Sequence, residues 1–510
     1  MTGEDDRLTV GNVATALWPL YPDRDQKASP LCTESLLALL GNTDRGAGDE
    51  LVSPKVSNFA VRSLIFGENF LDGQTDRMHR GDMTREEYGQ KLSIAEDFNG
   101  SDNLNLAREA LGNLIDTTEG LPGQRGEHLL MPFHESLLWY DARKSKSSDS
   151  WSVRQVRMRG KGMGIARILI DPPPGAGEDT LGHARTAREE LVRLLRAPSP
   201  FGKVAEHLES PLHDGSSPRP AIEDAERRWW ELAGEDATRP FAKQFSRHLA
   251  GVATQKNCSP SDKLWQTRSI LALDLASNYL QSAWERSEQP QEQRFLLVCA
   301  PGLDRKTDTV RLASERSYKA ATTSLRDALV TVIAETMAEL QADMRGGAID
   351  FEEHLELRKG AVRDNIRETV IDPYEGGERD FQTLATNLYK SSSYHRAIDG
   401  YRVLLRGIGC YAGGDRYRYQ TFRPELFRAL IGALSADMPM ESGDFFARLR
   451  EEWGFVASDK AAEGTLFEQA VPSGALANNK SRFEEMLVSS GLASSESDTT
   501  VLVGEYVAGA

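Results

Sequence analysis

The chain is poor in cysteine and lacks long apolar runs. Its 510 residues include four cysteines, Cys32, Cys258, Cys299 and Cys410, and no pair has the CxxC spacing of a zinc or redox motif. No stretch approaches the roughly 20 apolar residues that a membrane-spanning helix needs. The acidic N-terminus has neither the basic flank nor the apolar core of a signal peptide. We therefore expect a cytoplasmic protein with free thiols, without a membrane-spanning segment.

The motifs of several common enzyme classes are also missing. The sequence has no GxxxxGK(S/T) phosphate loop, no HExxH zinc motif and no GxSxG nucleophile elbow. His128, His134 and Glu135 come nearest to a set of metal ligands, and local hydrogen bonding is the better explanation for these histidines. We therefore predict a non-enzymatic protein with no cofactor and no metal.

Negative charge dominates the composition. The chain carries 77 acidic and 61 basic side chains, for a net charge of −16. This excess of acid disfavours a protein that coats nucleic acid without specificity. Two basic islands interrupt it: residues 151–200 have a net charge of +4 and residues 401–450 a net charge of +3. A local anion-binding surface is expected in these islands.

The length predicts several domains, because a domain typically has about 150 residues. We predict a mainly helical α+β protein, and the Pro/Gly-rich or polar stretches 171–180, 210–220 and 413–424 are predicted to be connections. The segments are a mixed α/β domain at 1–175, a helical connecting region at 176–260, a central helical or small α/β domain at 261–400, and a winged-helix-like domain at 401–510.

Hydrophobic periodicity predicts the individual elements. Helices are expected at residues 35–40, 104–115, 263–286 and 314–344. Strands are expected at residues 133–140 and 294–300, and a β-hairpin is expected from residues 151–159 and 165–170, turning at the glycine-rich residues 160–164.

The C-terminal segment has the clearest helix signals. Pro424 suits the start of a helix, and Gly454 suits the end of the next one. Asn479 is predicted to cap a third helix that ends at Gly491. A strand is expected at 499–507, so the order of elements is that of a winged-helix module.

The predicted hairpin is basic, and no acidic residue occurs between 151 and 170. A twisted basic ribbon can follow a phosphate backbone. The alternative is an edge strand that its charges protect from aggregation. The candidate contacts for nucleic acid or a partner protein are Arg154, Arg157, Arg159, Lys161 and Arg167.

The loop and helix start at 300–319 follow the predicted strand 294–300, where ligands bind in open α/β sheets. Tyr318 lies in this stretch. The phosphate-binding candidates are Arg305, Lys306, Arg311 and Arg316, and Asp304 and Glu315 are the alternative catalytic pair for metal or water. A solvated loop with a Glu315–Lys319 ion pair at i,i+4 is the structural alternative.

Arginine and aromatic residues alternate over 401–428, which has a net charge of +4. This composition suits base stacking and phosphate contact, and equally a protein interface. The candidate contacts are Arg402, Arg406, Arg416, Arg418 and Arg423, interleaved with aromatic residues that include Tyr401 and Tyr411. The predicted third helix and terminal strand have few cations, so protein docking is favoured over reading of DNA by the winged helix.

The C-terminal fifth resembles uncharacterised proteins of bacterial antiviral defence islands. The resemblance lies in YRVLLRGIGCY, FRPELFRALIGAL, ESGDFFARLREEWGF and NNKSRFEEMLVSSGL, followed by a strand. It implies a cytoplasmic component of a multi-protein defence system that meets foreign DNA or partner proteins. Because the acidic chain has two arginine-rich islands and no hydrolase motif, we predict that its role is that of a non-enzymatic adaptor or recognition subunit. Other proteins of that system are the expected partners, with DNA as a further candidate. The alternatives are a metal-dependent enzyme acting on nucleic acid or nucleotide, and a DNA-binding regulator.

Overall fold

The computed structural model is mostly helical, with a few short strands. This confirms the prediction of a predominantly helical α+β protein. The structure describes residues 10–18, 20, 27–43, 51, 56–58, 85–112, 132–138, 140–144, 151–153, 160–209, 224–256, 258–286, 295–299, 308–345, 367–391, 394–414, 417–435, 438–497 and 500–504.

The helices are named in chain order. They are α1 (Val10–Leu17), α2 (Ala28–Asn42), α3 (Arg85–Asn99), α4 (Ser101–Gly112), α5 (Lys161–Ile170), α6 (Glu178–Leu195), α7 (Pro200–Glu209), α8 (Asp224–Ala233), α9 (Arg239–Thr254), α10 (Pro260–Glu285), α11 (Thr309–Arg345), α12 (Asp372–Glu375), α13 (Phe381–Ser391), α14 (His395–Gly407), α15 (Pro424–Ser435), α16 (Ser442–Trp453), α17 (Asp459–Ala462), α18 (Phe467–Ala470) and α19 (Ser473–Ser489). Among these helices, none is both long enough and apolar enough to cross a membrane.

The strands contain two to five residues each. They are β1 (Val56–Asn58), β2 (Tyr140–Lys144), β3 (Trp151–Val153), β4 (Phe295–Leu296), β5 (Tyr411–Ala412), β6 (Tyr419–Gln420), β7 (Met440–Glu441), β8 (Phe455–Val456), β9 (Ala493–Ser495) and β10 (Val501–Val503). Strand β2 pairs in parallel with β1 and antiparallel with β3. Strands β7, β10 and β9 are hydrogen-bonded in that order.

The chain divides into two compact units. Unit 1 contains Met1–Asp25, Leu273–Arg423 and Glu441–Val501, and unit 2 contains Gln26–Ala272, Pro424–Met440 and Leu502–Ala510. The four domains expected at 1–175, 176–260, 261–400 and 401–510 stay a prediction.

Unit 1 is built around a small mixed sheet. Strand β4 pairs in parallel with β8, placing Phe295 opposite Phe455. Leu297, just after β4, forms a parallel bridge to Gln420 of β6, and β6 pairs antiparallel with β5. Apolar side chains of the sheet and of α11, α17, α18 and α19 form one buried core: Leu296, Val298, Val310, Ala313, Tyr419, Val456, Ala461, Ala462, Phe467, Val471 and Leu476.

In unit 2, helices pack against one another around α5 and α9. Helix α5 packs against α2 and α8, and α9 packs against α6 and α15. The carboxylate of Glu34 in α2 is fully buried. It accepts hydrogen bonds from the backbone N–H groups of Gly160 and Gly162, at 2.7 and 2.8 Å. A negative charge at this place stabilises the N-terminus of α5.

Several predicted elements are confirmed with shifted ends. The helices expected at 263–286 and 314–344 correspond to α10 and α11, and the helices expected at 35–40 and 104–115 lie largely in α2 and α4. Pro424 begins α15, and Gly454 ends α16 in the left-handed conformation with a φ of 73°. The strand expected at 294–300 is β4, whose buried apolar stretch continues to Val298.

Two strand predictions are wrong. Residues 160–170 do not form the second half of a hairpin, because α5 begins at Lys161 and its N-terminus is held by the distant Glu34. Residues 133–140 contain a 3-10 turn, Glu135–Leu137, whose first turn is capped by the imidazole of His134, and β2 begins at Tyr140.

The predicted cap at Asn479 is also wrong. Helix α19 begins six residues earlier, at Ser473, so Asn479 lies inside it. Its side chain bonds to the backbone of two strands, which requires a residue that both donates and accepts.

Candidate anion-binding site

Three elements of unit 1 bring tyrosine and arginine side chains together. Helix α11 contributes Tyr318, α14 contributes Tyr401, Arg402 and Arg406, and the β5–β6 hairpin contributes Tyr411 and Arg418. We call these six residues the tyrosine–arginine cluster. It unites two regions that the sequence analysis treated separately, 300–319 and 401–428.

The β5–β6 hairpin places Tyr411 and Arg418 near each other because it turns tightly. Gly413 adopts a φ of 94°, and a Cβ atom at this position would lie 2.2 Å from the carbonyl oxygen of Tyr417. Only glycine fits such a position. The Arg418 guanidinium carbon then lies 5.6 Å from the centroid of the Tyr411 ring, a cation–π distance.

The tyrosine rings form the inner part of the cluster. The ring centroids of Tyr318 and Tyr411 are 5.4 Å apart. Tyr318 and Tyr401 are only 5% and 2% exposed, whereas Tyr411 is half-buried. The cluster therefore opens to solvent on the side of Tyr411 and is closed behind Tyr318 and Tyr401.

Several buried donors of this region have no acceptor. The hydroxyl of Tyr318, Nε of Arg402 and Nε2 of Gln420 donate no hydrogen bond to the described residues. The other end of the Arg402 guanidinium is engaged, since Nη1 donates to Asp399 at 3.1 Å. A buried donor without a partner costs roughly 1–3 kcal/mol. Two cluster members, Tyr318 and Arg402, therefore carry unused hydrogen-bonding capacity.

Burial keeps the phenols of the cluster protonated. It raises the pKa of Tyr318 to about 12, and Arg418 and Arg402 oppose this rise only in part. Burial likewise raises the pKa of Tyr401 well above its ordinary value and raises that of Tyr411, where Arg418, Arg406 and Arg402 act in the opposite direction. At neutral pH the cluster therefore presents neutral O–H groups and cations, all of which donate hydrogen bonds.

The two other arginine candidates of 401–428, Arg416 and Arg423, are not part of the tyrosine–arginine cluster. Arg423 is exposed, and its side chain packs on Gly409, where an added Cβ would lie 2.8 Å from Cδ of Arg423. Arg416 lies outside the described residues.

The candidate site residues of 300–319 differ in their surroundings. Arg311 is bound internally, since Nε lies 3.2 Å from the carboxylate of Glu315 and the guanidinium lies over the ring of Tyr419. Glu315 thus pairs with the residue four positions before it, and not with Lys319. Arg316 is exposed. Asp304, Arg305 and Lys306 lie outside the described residues, so the proposed pairing of Asp304 with Glu315 stays a prediction.

The cations expected on the basic hairpin are held inside unit 2 where they are described. Lys161 is 5% exposed, and its ammonium lies 4.8 Å from the ring centroid of Trp229. Arg167 donates to the carbonyl oxygen of Trp230 at 2.7 Å and pairs with Asp171. Both belong to helix α5 and not to a basic ribbon. Arg154, Arg157 and Arg159 lie outside the described residues.

Sequence reasoning missed Gln420, because one glutamine in a polar-aromatic stretch carries no distinguishing signal. Its backbone N–H donates to the hydroxyl of Ser314 at 2.8 Å, and its side-chain oxygen lies 3.5 Å from the sulfur of Cys410. The interleaving of arginine with tyrosine was the signal that did find the cluster.

Within the described part of the chain, no three His, Cys, Asp or Glu side chains are grouped closely enough to hold a metal ion. Comparisons with protein-family models, with curated proteins and with solved structures found no match to the chain.

Proposed function

We propose that this protein is a non-enzymatic recognition subunit of a multi-protein assembly, and that exposed arginines of unit 1 contact its partner. The main partner we propose is another protein of the assembly, and DNA is a further candidate ligand. The bacterial antiviral and cytoplasmic setting is part of the proposal and rests on the resemblance of the C-terminal fifth.

One observation carries this proposal. Arg316, Arg406 and Arg423 are exposed, and they form no ion pair with the described residues, although the chain has an excess of acid and a net charge of −16. Other exposed arginines of unit 1 do pair, as Arg326 does with Asp327 at 2.7 Å. Arginine is enriched where proteins contact proteins and phosphates. Exposed arginines that form no ion pair with a described acid therefore support a contact surface on unit 1.

The winged-helix-like character of residues 401–510 belongs to the same proposal. In this segment α15, α16 and α19 are followed by β10, with further short elements between them. A module of this kind would dock a partner and not read DNA, because a cation of its third helix, Lys480, is held in an ion pair. Lys480 lies 3.3 Å from Glu484 on α19.

The experiment is co-purification of the full chain with the products of neighbouring genes. The double variant Arg406→Glu, Arg423→Glu should lose the complex, because charge reversal places two acids at the contact. The control Arg326→Glu also reverses an exposed arginine of unit 1 and should keep the complex. Elution of the unmodified chain alone, at its monomer mass, with every neighbour tested would contradict the proposal.

DNA is tested separately by fluorescence anisotropy at low salt. If DNA is a ligand, the same double variant should lower the affinity and flatten its dependence on salt. Equal binding by the double variant and by Arg326→Glu would exclude these two arginines from a DNA contact.

A further inference from the structure

We propose that the tyrosine–arginine cluster binds one carboxylate group, which accepts hydrogen bonds from the hydroxyl of Tyr318 and from Nε of Arg402. Such a carboxylate comes from one of two sources, the C-terminus of a partner polypeptide or a free carboxylic acid. The inference deepens the proposed function, and it rests on that function where the source is a partner, because it names the chemical group of the partner that unit 1 recognises.

The first argument is a pair of buried donors on two helices. The hydroxyl of Tyr318 on α11 and Nε of Arg402 on α14 donate no hydrogen bond to the described residues, and Tyr318 is only 5% exposed. The two residues are neighbours, since Arg402 is one of the charges that act on the phenol of Tyr318. Buried donors of this kind are rare in folded proteins, and a bound group that accepts from them is one recognised reason for them.

A third unused donor lies in the same neighbourhood. Gln420 of β6 is fully buried, and its Nε2 donates no hydrogen bond to the described residues. Its backbone N–H donates to the hydroxyl of Ser314, one turn before Tyr318 on α11, and its side-chain oxygen lies 3.5 Å from Sγ of Cys410. Because α11, α14 and β6 each present a buried donor, the group that satisfies them must be an acceptor.

The second argument is charge. Arg402 adds no net charge, because Nη1 pairs with Asp399 at 3.1 Å. Arg418 is already engaged with the ring of Tyr411 and is left out of the count. Arg406, on the same helix as Arg402, is exposed and forms no ion pair with a described acid, and it acts on the phenol of Tyr411. This leaves one uncompensated positive charge beside the cluster.

Charge and the number of donors together select a carboxylate. A water molecule accepts from two donors but brings no charge. A phosphate monoester brings roughly −1.5 to −2 at neutral pH, which is more than the single positive charge left beside the cluster. A carboxylate has one negative charge and two oxygens, one for each donor, and its hydrogen bonds to a guanidinium are about twice as strong as those between neutral groups.

The aromatic rings of the cluster favour a carboxylate on an apolar body. The ring centroids of Tyr318 and Tyr411 are 5.4 Å apart. Tyr411 is half-buried, whereas Tyr401 behind it is 2% exposed, so a ligand would enter on the side of Tyr411. A ring attached to the carboxylate would then pack beside aromatic side chains, which adds affinity.

The experiment is titration calorimetry of the full chain at neutral pH with matched pairs of probes. The pairs are acetate and acetamide, benzoate and benzamide, and one peptide with a free and with an amidated C-terminus. We expect acetate and benzoate to bind at least about tenfold more tightly than their amides, and benzoate to bind more tightly than acetate. Equal binding of benzoate and benzamide, or tighter binding of inorganic phosphate than of benzoate, would overturn the inference.

The peptide pair separates the two sources of the carboxylate. Binding of the free peptide that is lost on amidation assigns the site to a polypeptide C-terminus. Binding of benzoate, with neither form of the peptide bound, assigns it to a free carboxylic acid. Failure of every carboxylate to bind would overturn the inference.

Two variants test the donors. Tyr318→Phe should weaken benzoate binding by about fivefold, because it removes one hydrogen bond. Arg402→Lys should weaken it by about tenfold, because lysine keeps the charge but lacks the guanidinium donors. Arg326→Lys is the matched control, since Arg326 is an exposed arginine of unit 1 that pairs with Asp327, and it should bind benzoate as the unmodified chain does. Unchanged affinity in both test variants would overturn the inference.

Melting temperatures distinguish a binding role from a structural one. Saturating benzoate should raise the melting temperature of the unmodified chain and of Arg326→Lys, because a ligand that binds only the folded state stabilises it. The same benzoate concentration should produce a smaller rise in Tyr318→Phe and in Arg402→Lys. If these residues had only a structural role, the variants would melt at a different temperature without benzoate but show the same rise with it.

The outcomes also separate this inference from the proposed function. A partner complex that forms although no carboxylate binds would overturn the inference and leave the proposed function intact. Carboxylate binding without any partner complex would contradict the proposed function alone.

Discussion

The side-chain amide nitrogen of Asn479 lies 2.9 Å from the carbonyl oxygen of Leu297, a residue 182 positions earlier in the chain. The same nitrogen donates to the carbonyl oxygen of Ala457 at 2.9 Å, and the amide oxygen accepts from the N–H of Cys299 at 3.0 Å. One buried side chain thus joins the ends of the parallel strands β4 and β8.

Asn479→Ala should lower the free energy of unfolding by roughly 2–4 kcal/mol, because it leaves three backbone groups without their partner. The matched control is Asn478→Ala, which changes the exposed neighbouring asparagine of the same helix and should alter stability by no more than about 0.5 kcal/mol. Urea denaturation followed by circular dichroism measures both. Equal midpoints for the two variants would show that the amide does not hold the strands.

Glycine-to-alanine changes in two helices of unit 2 should have opposite effects. At Gly162 in α5, an added Cβ would lie 2.5 Å from Cγ of Glu34 and 2.6 Å from the backbone nitrogen of Ser35, so Gly162→Ala should destabilise the protein by about 1–3 kcal/mol. At Gly182 in α6 nothing lies within 4 Å, so Gly182→Ala should stabilise by roughly 0.5–1 kcal/mol. Thermal unfolding of both variants tests the pair, and a stabilising Gly162→Ala would refute the close packing of α5 on α2.

Stability should fall at alkaline pH. Burial raises the pKa of Tyr318 from 10.0 to about 12 and that of Cys299 from 9.0 to about 11, and it also raises those of Tyr401 and Cys410. The unfolded chain therefore loses these protons at lower pH than the folded chain. The contribution of these protonated groups to the free energy of unfolding is therefore complete below about pH 9, and it is lost progressively as the pH rises towards 12.

Melting temperatures between pH 8 and pH 11 measure this loss. Tyr318→Phe should make the decline shallower, because one pKa unit corresponds to about 1.4 kcal/mol of stability. Tyr417→Phe changes an exposed tyrosine of the same unit and serves as the control. An identical decline in Tyr318→Phe and the unmodified chain would argue against a buried phenol at position 318.

Much of the helical framework could be read from local patterns. The periodic apolar residues of α10 and α11 predicted both helices, and Pro424 and Gly454 marked a start and an end, because proline and glycine restrict or permit backbone angles wherever they occur. The alternation of arginine and tyrosine over 401–428 likewise pointed to the surface that contains most of the tyrosine–arginine cluster.

Local patterns failed where a distant residue determines the conformation. The apolar run of 165–170 suits a strand, but Glu34, 126 positions before Gly160, holds the start of helix α5, and this segment forms the rest of that helix. Asn479 has the sequence context of a cap, but it bonds instead to β4 and β8.

Composition and periodicity alone determined that this chain is mostly helical, acidic and locally rich in arginine, because these properties follow from residue types and their spacing. Only the tertiary structure decided which cationic side chains are free of internal partners and can bind an outside ligand. Lys161 and Arg167 are held by tryptophans of α8, whereas Arg406 and Arg423 are exposed. That distinction depends on burial and on partners far away in the chain, since a charge can bind an outside ligand only when no internal group already satisfies it.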